Sequence, residues 1–197
     1  MVKRAICLLV FLVSGAGAQA ADSTSAHGPH YVRNFALGVA ASLVFHELGH
    51  IGMSIAEGAR PSFGLAQGRP TIFSGIDSRR QPHKQFFFSA AGLTVQSLID
   101  EGILDLPHAR GSAFERGMLG GGIGTTFFYL TIGRRGSVSD VDFMARTRVL
   151  SITQITLLYG GVAALHTWRI SRNPAYANFF AAPSSRGLEL GMSFRTK

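Results

Sequence analysis

Charged side chains are scarce in this chain. They make up 15% of its residues, where an ordinary soluble domain carries about 25%. Acidic groups are the scarcer sign, 11 against 19 basic, for a formal net charge of +8. Cysteine is nearly absent too. The single one, Cys7, falls inside an N-terminal apolar stretch that reads as a removable signal. The mature chain then has no thiol, which excludes a disulfide framework and any Cys-ligated metal. A metal site would have to use His, Asp or Glu. Amphipathic charge stripes are also missing from the apolar segments, which argues against a soluble helical bundle. There is no nucleic-acid motif. The basic residues sit between apolar segments rather than along one face with aromatics, so no nucleic-acid partner is expected.

What the chain does have is apolar bulk. Hydrophobic residues reach 46%, with 24 glycines and 15 phenylalanines. At the N-terminus Lys3 and Arg4 form a basic region, Ile6 to Val13 an apolar one, and Ala18-Gln19-Ala20 a small-x-small cleavage site. Residues 1–20 are therefore expected to be a cleaved signal peptide. Four apolar segments follow, at about Phe35 to Ala56, Phe86 to Leu104, Phe114 to Ile132 and Val149 to Trp168. Each approaches the roughly 20 residues that cross a bilayer as a helix. The third would make a poor helix in water, because it is rich in glycine. In lipid its Gly117/Gly121 and Gly120/Gly124 pairs read as GxxxG packing faces. The expected architecture is all-α: a polytopic membrane domain over residues 21–170, with about four spanning helices, then a polar tail over 171–197. In the tail, Leu188, Leu190, Met192 and Phe194 alternate with polar or small residues, a short β pattern. The Pro-broken loop from Arg60 to Gly75 could supply its partner edge.

Flanking charges suggest a topology. A cleaved signal leaves the mature N-terminus outside the cytoplasm. The loops holding Arg60, Arg69, Arg79, Arg80 and Lys84, and Arg134, Arg135, Arg146 and Arg148, would then face inward, as the positive-inside rule asks. The C-terminal arginines do not fit this pattern. The expected location is a membrane, in a bacterium the inner one, with the lipid bilayer itself a partner.

The sharpest motif is His46-Glu47-Leu48-Gly49-His50. On a helix, positions i and i+4 share a face, so both imidazoles can reach one zinc ion. Glu47, one residue on, can act as general base toward water. The motif lies inside an apolar segment, where ionisable groups are costly and hence functional candidates. A third ligand is needed. Asp140 and Asp142 are the carboxylates of the loop between the third and fourth segments, and both enter the fourth helix on the correct side. Asp140 is favoured because Ser139-Asp140 sits nearest the turn into that helix, with Asp142 the alternative; Ser139 also reads as an N-cap. Glu57, Asp77, Asp100, Glu101 and Asp105 are weaker candidates. His83 and His166 are expected at the surface or the membrane interface.

These residues resemble the site-2 protease family of intramembrane zinc metalloproteases. That family places HExxH within a transmembrane helix, here His46 to His50, and an Asp ligand at the start of a later helix, by position Asp140. Between them it has an Ala-Gly-Pro-x-x-Asn-like motif, where this chain has Ala91-Gly92-Leu93-Thr94-Val95-Gln96. Leu93 replaces the Pro, Gln96 stands where the Asn would be, and Ser139-Asp140-Val141-Asp142 replaces Leu-Asp-Gly. The resemblance implies a zinc peptidase that cleaves membrane-protein or peptide substrates in or beside transmembrane segments. Gly92 and Gln96 would be substrate-positioning residues. Gly120 to Gly122 could leave room for a substrate helix. Rival readings are a non-catalytic metal-binding scaffold that keeps the fold, and a soluble periplasmic metallopeptidase. A metal-ion transporter is disfavoured, because the sequence shows one site and no relay of His or Asp.

Overall fold

The computed structural model describes residues 30–66, 68–135, 139–173, 175–176, 179–184 and 187–192. The expected signal peptide lies outside these residues. The chain is mostly helical. Helix α1 spans Tyr31–Ala56, α2 Pro82–Asp105, α3 Ala113–Leu130, α4 Asp140–Arg146 and α5 Ile152–Arg172. A single 3₁₀ turn, Ile132–Arg135, follows α3. The four apolar segments thus become α1, α2, α3 and α5.

Local chemistry sets the helix starts. Pro82 opens α2, where a missing N–H costs nothing. Ser112 and Glu115 form a capping box at α3, and Ser151 and Gln154 form another at α5. That second cap places the start of α5 at Ile152, later than the expected Val149. Asp140 does not lead directly into the fourth apolar helix, although its sequence position suggests that it would. Instead Asp140 opens a separate seven-residue helix, α4, and Arg148, at φ 61°, breaks the chain between α4 and α5.

α1 packs on α3 and α2, and α5 packs on α2 and α3. Glycine sets the closest approach. A Cβ on Gly117 would lie 2.1 Å from the Phe35 carbonyl oxygen, and one on Gly38 would lie 2.1 Å from that of Phe114. Backbone therefore touches backbone between α1 and α3, the kind of contact small residues permit. Of the two GxxxG pairs, Gly117/Gly121 makes this seam, Gly121 facing Ser42. Gly124 of the other pair faces open space. The idea that Gly120 to Gly122 leave room for a substrate helix does not hold at Gly121 or Gly122, whereas Gly120 meets only the tip of the Phe35 ring at 3.8 Å. Gly121 abuts Ser42 of α1, and Gly122 abuts the carboxylate of Asp100 on α2.

One apolar core joins Phe86, Ala90 and Leu93 of α2 to Val141 and Met144 of α4 and to Ile155 and Tyr159 of α5. It clamps the short α4 against α2. A second, at the opposite end of the bundle, joins Leu104, Leu119, Ile170 and Tyr176.

Two antiparallel hairpins complete the fold. β1 (Ser62–Ala66) pairs with β2 (Arg69–Phe73), with Ser62 opposite Phe73. β3 (Phe179–Ser184) pairs with β4 (Gly187–Met192). The alternating tail segment is therefore a strand, but its partner is the adjacent tail strand. The loop expected to receive it folds on itself, turning at Gly68 with φ 78°. Its base is tied to the helices. Ser54 Oγ donates to the Ser74 carbonyl at 2.7 Å, Ser74 Oγ to Gln85 Oε1 at 2.8 Å, and Lys84 Nζ to the Glu57 carbonyl at 2.8 Å.

Polar groups share the interior with the apolar cores, and large apolar side chains also lie outside. Ser42, His46, His50, Gln96, Asp100 and His166 are interior, whereas Leu43, Val44, Phe87, Leu98, Phe127 and Leu157 are exposed. Among the described residues α1 is the one helix long and apolar enough to cross a membrane. Glycine, hydroxyl and charged residues dilute the apolar content of the others.

Candidate metal centre

His46 and His50 project from the same face of α1 toward α2. Their ring nitrogens divide into two sets. On the outward set, His46 Nδ1 lies 2.9 Å from Gln96 Oε1, and His50 Nδ1 lies 2.7 Å from the Phe88 carbonyl oxygen. Both partners are acceptors, so both Nδ1 atoms donate. In their neutral form the rings turn bare Nε2 lone pairs inward. The two Nε2 atoms are 3.1 Å apart, and Asp140 Oδ2 lies 2.9 Å from one and 3.2 Å from the other.

Three electron-rich atoms thus converge from α1 and α4. Unoccupied by a cation or proton, that arrangement is repulsive. Ligand atoms around a tetrahedral zinc, at 2.0–2.1 Å from the metal, stand about 3.3 Å from one another. The observed spacings fit that cradle. Gly92 of α2 keeps it clear, since a Cβ there would lie 2.6 Å from His46 Nε2 and 2.7 Å from His50 Nε2. His46, His50 and Asp140 form the one His/Cys/Asp/Glu group among the described residues able to hold a metal ion.

Asp140 is delivered by local structure. Ser139, fully buried, caps α4 by accepting from Asp142 N at 3.4 Å, the N-cap that the sequence suggested. The helix N-terminus favours the adjacent negative charge. Burial by itself pushes the Asp140 carboxyl up. The charges and hydrogen bonds of His50 and His46 overcome that and hold it well below the usual carboxylate range. Asp142, the alternative ligand, turns away and pairs with Arg146 at 2.5 Å.

Two expected roles change with the geometry. Gln96 is buried and does not present its amide to a substrate. Its Oε1 accepts a hydrogen bond from His46 Nδ1, and its Nε2 donates to Ser42 Oγ at 2.9 Å and to the Ser42 carbonyl at 3.2 Å. Gly92 serves as the floor of the cradle. Glu47, the expected base, follows His46 on α1 and is exposed. Tyr129 of α3 stacks on the His46 ring at 5.7 Å and 12°, and the Phe88 ring lies tilted against His50 at 5.0 Å. Sequence reasoning missed Phe88 and Tyr129. A backbone carbonyl leaves no signature in sequence, and a tyrosine among apolar residues resembles any core aromatic.

Of the weaker candidates, Asp100 and Glu101 lie away from this centre, as expected. His166 departs from expectation. It is 1% exposed and packed between these two carboxylates, because α2 and α5 converge at that end of the bundle.

Scans of protein-family models, curated proteins and solved structures find no match to this chain.

Proposed function

We propose that this chain is a membrane-embedded zinc metallopeptidase. The observation that carries the reading is the convergence of His46 Nε2, His50 Nε2 and Asp140 Oδ2 within 3.2 Å of one another over a glycine floor. His₂-carboxylate is a catalytic zinc set, and it leaves a coordination position for water or substrate. The resemblance to site-2 proteases agrees with it, as does the placement of the centre inside the helical bundle.

The membrane reading extends beyond α1. α1, α2, α3 and α5 all carry exposed large apolar side chains around a polar interior, a distribution suited to hydrocarbon as the surrounding solvent. The helices have 26, 24, 18 and 21 residues, close to spanning length. That distribution and the loop charges support a reading of four spanning helices with the mature N-terminus outside.

His46, His50 and Asp140 would hold the ion. Zinc, when bound, supplies Lewis acidity and makes water nucleophilic near neutral pH. Gln96 and the Phe88 carbonyl fix the imidazole tautomers so that both Nε2 atoms face inward. The Glu47 carboxylate takes a proton from the attacking water and delivers it to the leaving amine nitrogen. The substrate would be a single-span protein or remnant peptide, locally unwound because helical carbonyls are engaged in hydrogen bonds.

A second reading is a metal-binding scaffold without turnover. It is favoured by Gln96, whose amide is committed to His46 and Ser42. Metal analysis of detergent-purified protein, paired with a cleavage assay on single-span substrates, separates the two. The peptidase reading expects zinc in wild type and in Glu47→Gln, with cleavage lost in the variant. Zinc without cleavage in wild type supports the scaffold, and no zinc in folded wild type removes both.

A further inference from the structure

Arg169 and Arg172, at the end of α5, break the positive-inside pattern of the loops, and the fold gives them a place. A cleft of about 420 Å³ lies at the end of the bundle away from α4. It is lined by Leu104 of α2, Arg110 of the following loop, and Trp168, Arg169, Arg172 and Asn173 at the end of α5. Its frame is fixed. Leu104 belongs to the core with Leu119, Ile170 and Tyr176. Arg116 of α3 donates through Nε to the Gly111 carbonyl at 3.1 Å and through Nη2 to the Ala175 carbonyl at 2.7 Å, which ties the α2–α3 loop to the turn after α5.

The cleft carries uncompensated positive charge. Arg169 is neutralised by Glu101 and Asp105. Glu115 is engaged by His108 and by the Gly111 and Ser112 amides. Arg110 and Arg172 pair with no carboxylate among the described side chains. Arg172 Cζ instead lies over the Trp168 ring, 5.2 Å from its centroid. That cation–π contact steadies the guanidinium and leaves its N–H donors for another acceptor. Asn173 Oδ1 accepts from Ala175 N at 3.0 Å, so its amide nitrogen is a further donor. Two such guanidiniums and an amide suit a phosphate oxyanion.

The cleft also runs into an apolar face. Leu158, Gly161, Leu165, Trp168 and Arg172 recur at spacings of three and four, and so line one side of α5. Leu158, Leu165 and Trp168 are exposed, and a Cβ on Gly161 would meet nothing. From Leu158 to Trp168 the helix rises about 15 Å. That is half of the roughly 30 Å hydrocarbon thickness, the depth of one leaflet.

We propose that this cleft binds the phosphate of an anionic phospholipid, with an acyl chain lying along α5 from Trp168 to Leu158. The proposal rests on the membrane reading of α5. An amphipathic occupant uses both the guanidiniums and the apolar face, whereas a free phosphate would use only the first. A choline headgroup brings its own cation toward Arg110 and Arg172, and a glycerol headgroup does not. The cleft therefore prefers the anionic lipid.

Trp168 is the one tryptophan of the chain, so its fluorescence reports on the cleft directly. The full chain is reconstituted in vesicles of phosphatidylcholine with a minor fraction of phosphatidylglycerol. Two preparations share that composition and differ only in which lipid carries brominated, quenching acyl chains, at equal bromine content. Brominated phosphatidylglycerol should quench Trp168 with an apparent affinity at least about 5-fold higher than brominated phosphatidylcholine, the contribution of a single arginine near a membrane surface. The excess should vanish in Arg110→Gln/Arg172→Gln and persist in Arg146→Gln, at the other end of the bundle. Equal quenching by the two lipids in the wild-type chain overturns the cleft but leaves α5 in the bilayer. Quenching by neither removes α5 from the bilayer, and the membrane reading falls with the proposal. An excess that survives the double substitution, or is lost in Arg146→Gln, also overturns it. So does an excess abolished by inorganic phosphate at constant ionic strength, which would make the cleft a site for the free ion.

Discussion

Gln96 Oε1 accepts a hydrogen bond from His46 Nδ1 at 2.9 Å. An amide from the middle of α2 thereby decides which nitrogen of an α1 histidine faces the candidate metal cradle. Groups that orient a ligating imidazole typically contribute 10–100-fold to metal affinity. Gln96→Leu removes the acceptor and leaves Ser42 Oγ without its amide donor. Zinc affinity should fall by about that factor while the helical content is kept, as chelator competition and circular dichroism would show. Unchanged affinity would mean that Gln96 does not hold His46.

Gly92→Ala is a small substitution with a large expected consequence. The added Cβ would stand 2.6 Å from His46 Nε2, inside the space that an ion would use. α2 itself should gain slightly, since alanine is the better helix former. The expected outcome is folded protein with zinc content near zero. Full zinc occupancy in this variant would place the ion elsewhere.

Much of this centre could be read from the sequence, for a local reason. Two histidines at i and i+4 share a helix face whatever surrounds them, and Ser139 before Asp140 announces a helix start. The Ser112-x-x-Glu115 and Ser151-x-x-Gln154 boxes are equally local; the second would have placed the start of α5 correctly. What could not be read depends on helix crossings. Gln96 reaches His46 because Gly49 lets α1 approach α2, its Cβ position being 2.7 Å from the Ala91 carbonyl oxygen. His166 looked like a terminal, interfacial residue, and is buried because its carboxylate partners lie on another helix. The tail strand displayed its alternation but not its partner, since a period of two does not say which edge is used.

Asp140 and Asp142 are two residues apart and should behave differently. Asp140 Oδ2 meets both imidazoles, whereas Asp142 pairs with Arg146. Asp140→Asn keeps the shape but loses the negative charge and should weaken zinc binding by at least 10-fold. Asp142→Asn removes a partly exposed i,i+4 ion pair, worth about 0.3–0.5 kcal/mol, and should leave zinc binding unchanged. Isothermal titration of zinc into the two apo variants decides it. Equal losses in both would mean that α4 does not hold the orientation described.

The two glycine pairs of α3 offer a test of how the bundle is held. Gly117 sits where a Cβ would be 2.1 Å from the Phe35 carbonyl oxygen, and Gly124 faces open space. Gly117→Leu cannot be absorbed by a side-chain rotation, because the obstacle is backbone. α1 would have to move away from α3, and its histidines with it. Overpacking of this kind costs about 1–3 kcal/mol or more, so the melting temperature in detergent should drop and zinc occupancy fall. Gly124→Leu should be tolerated or mildly stabilising, since it relieves the helix of a glycine and adds an apolar side chain to an open face. If Gly124→Leu is the damaging change and Gly117→Leu is silent, the helix pairs through its other face, and the α1–α3 seam that carries His46 and His50 to the centre must be redrawn.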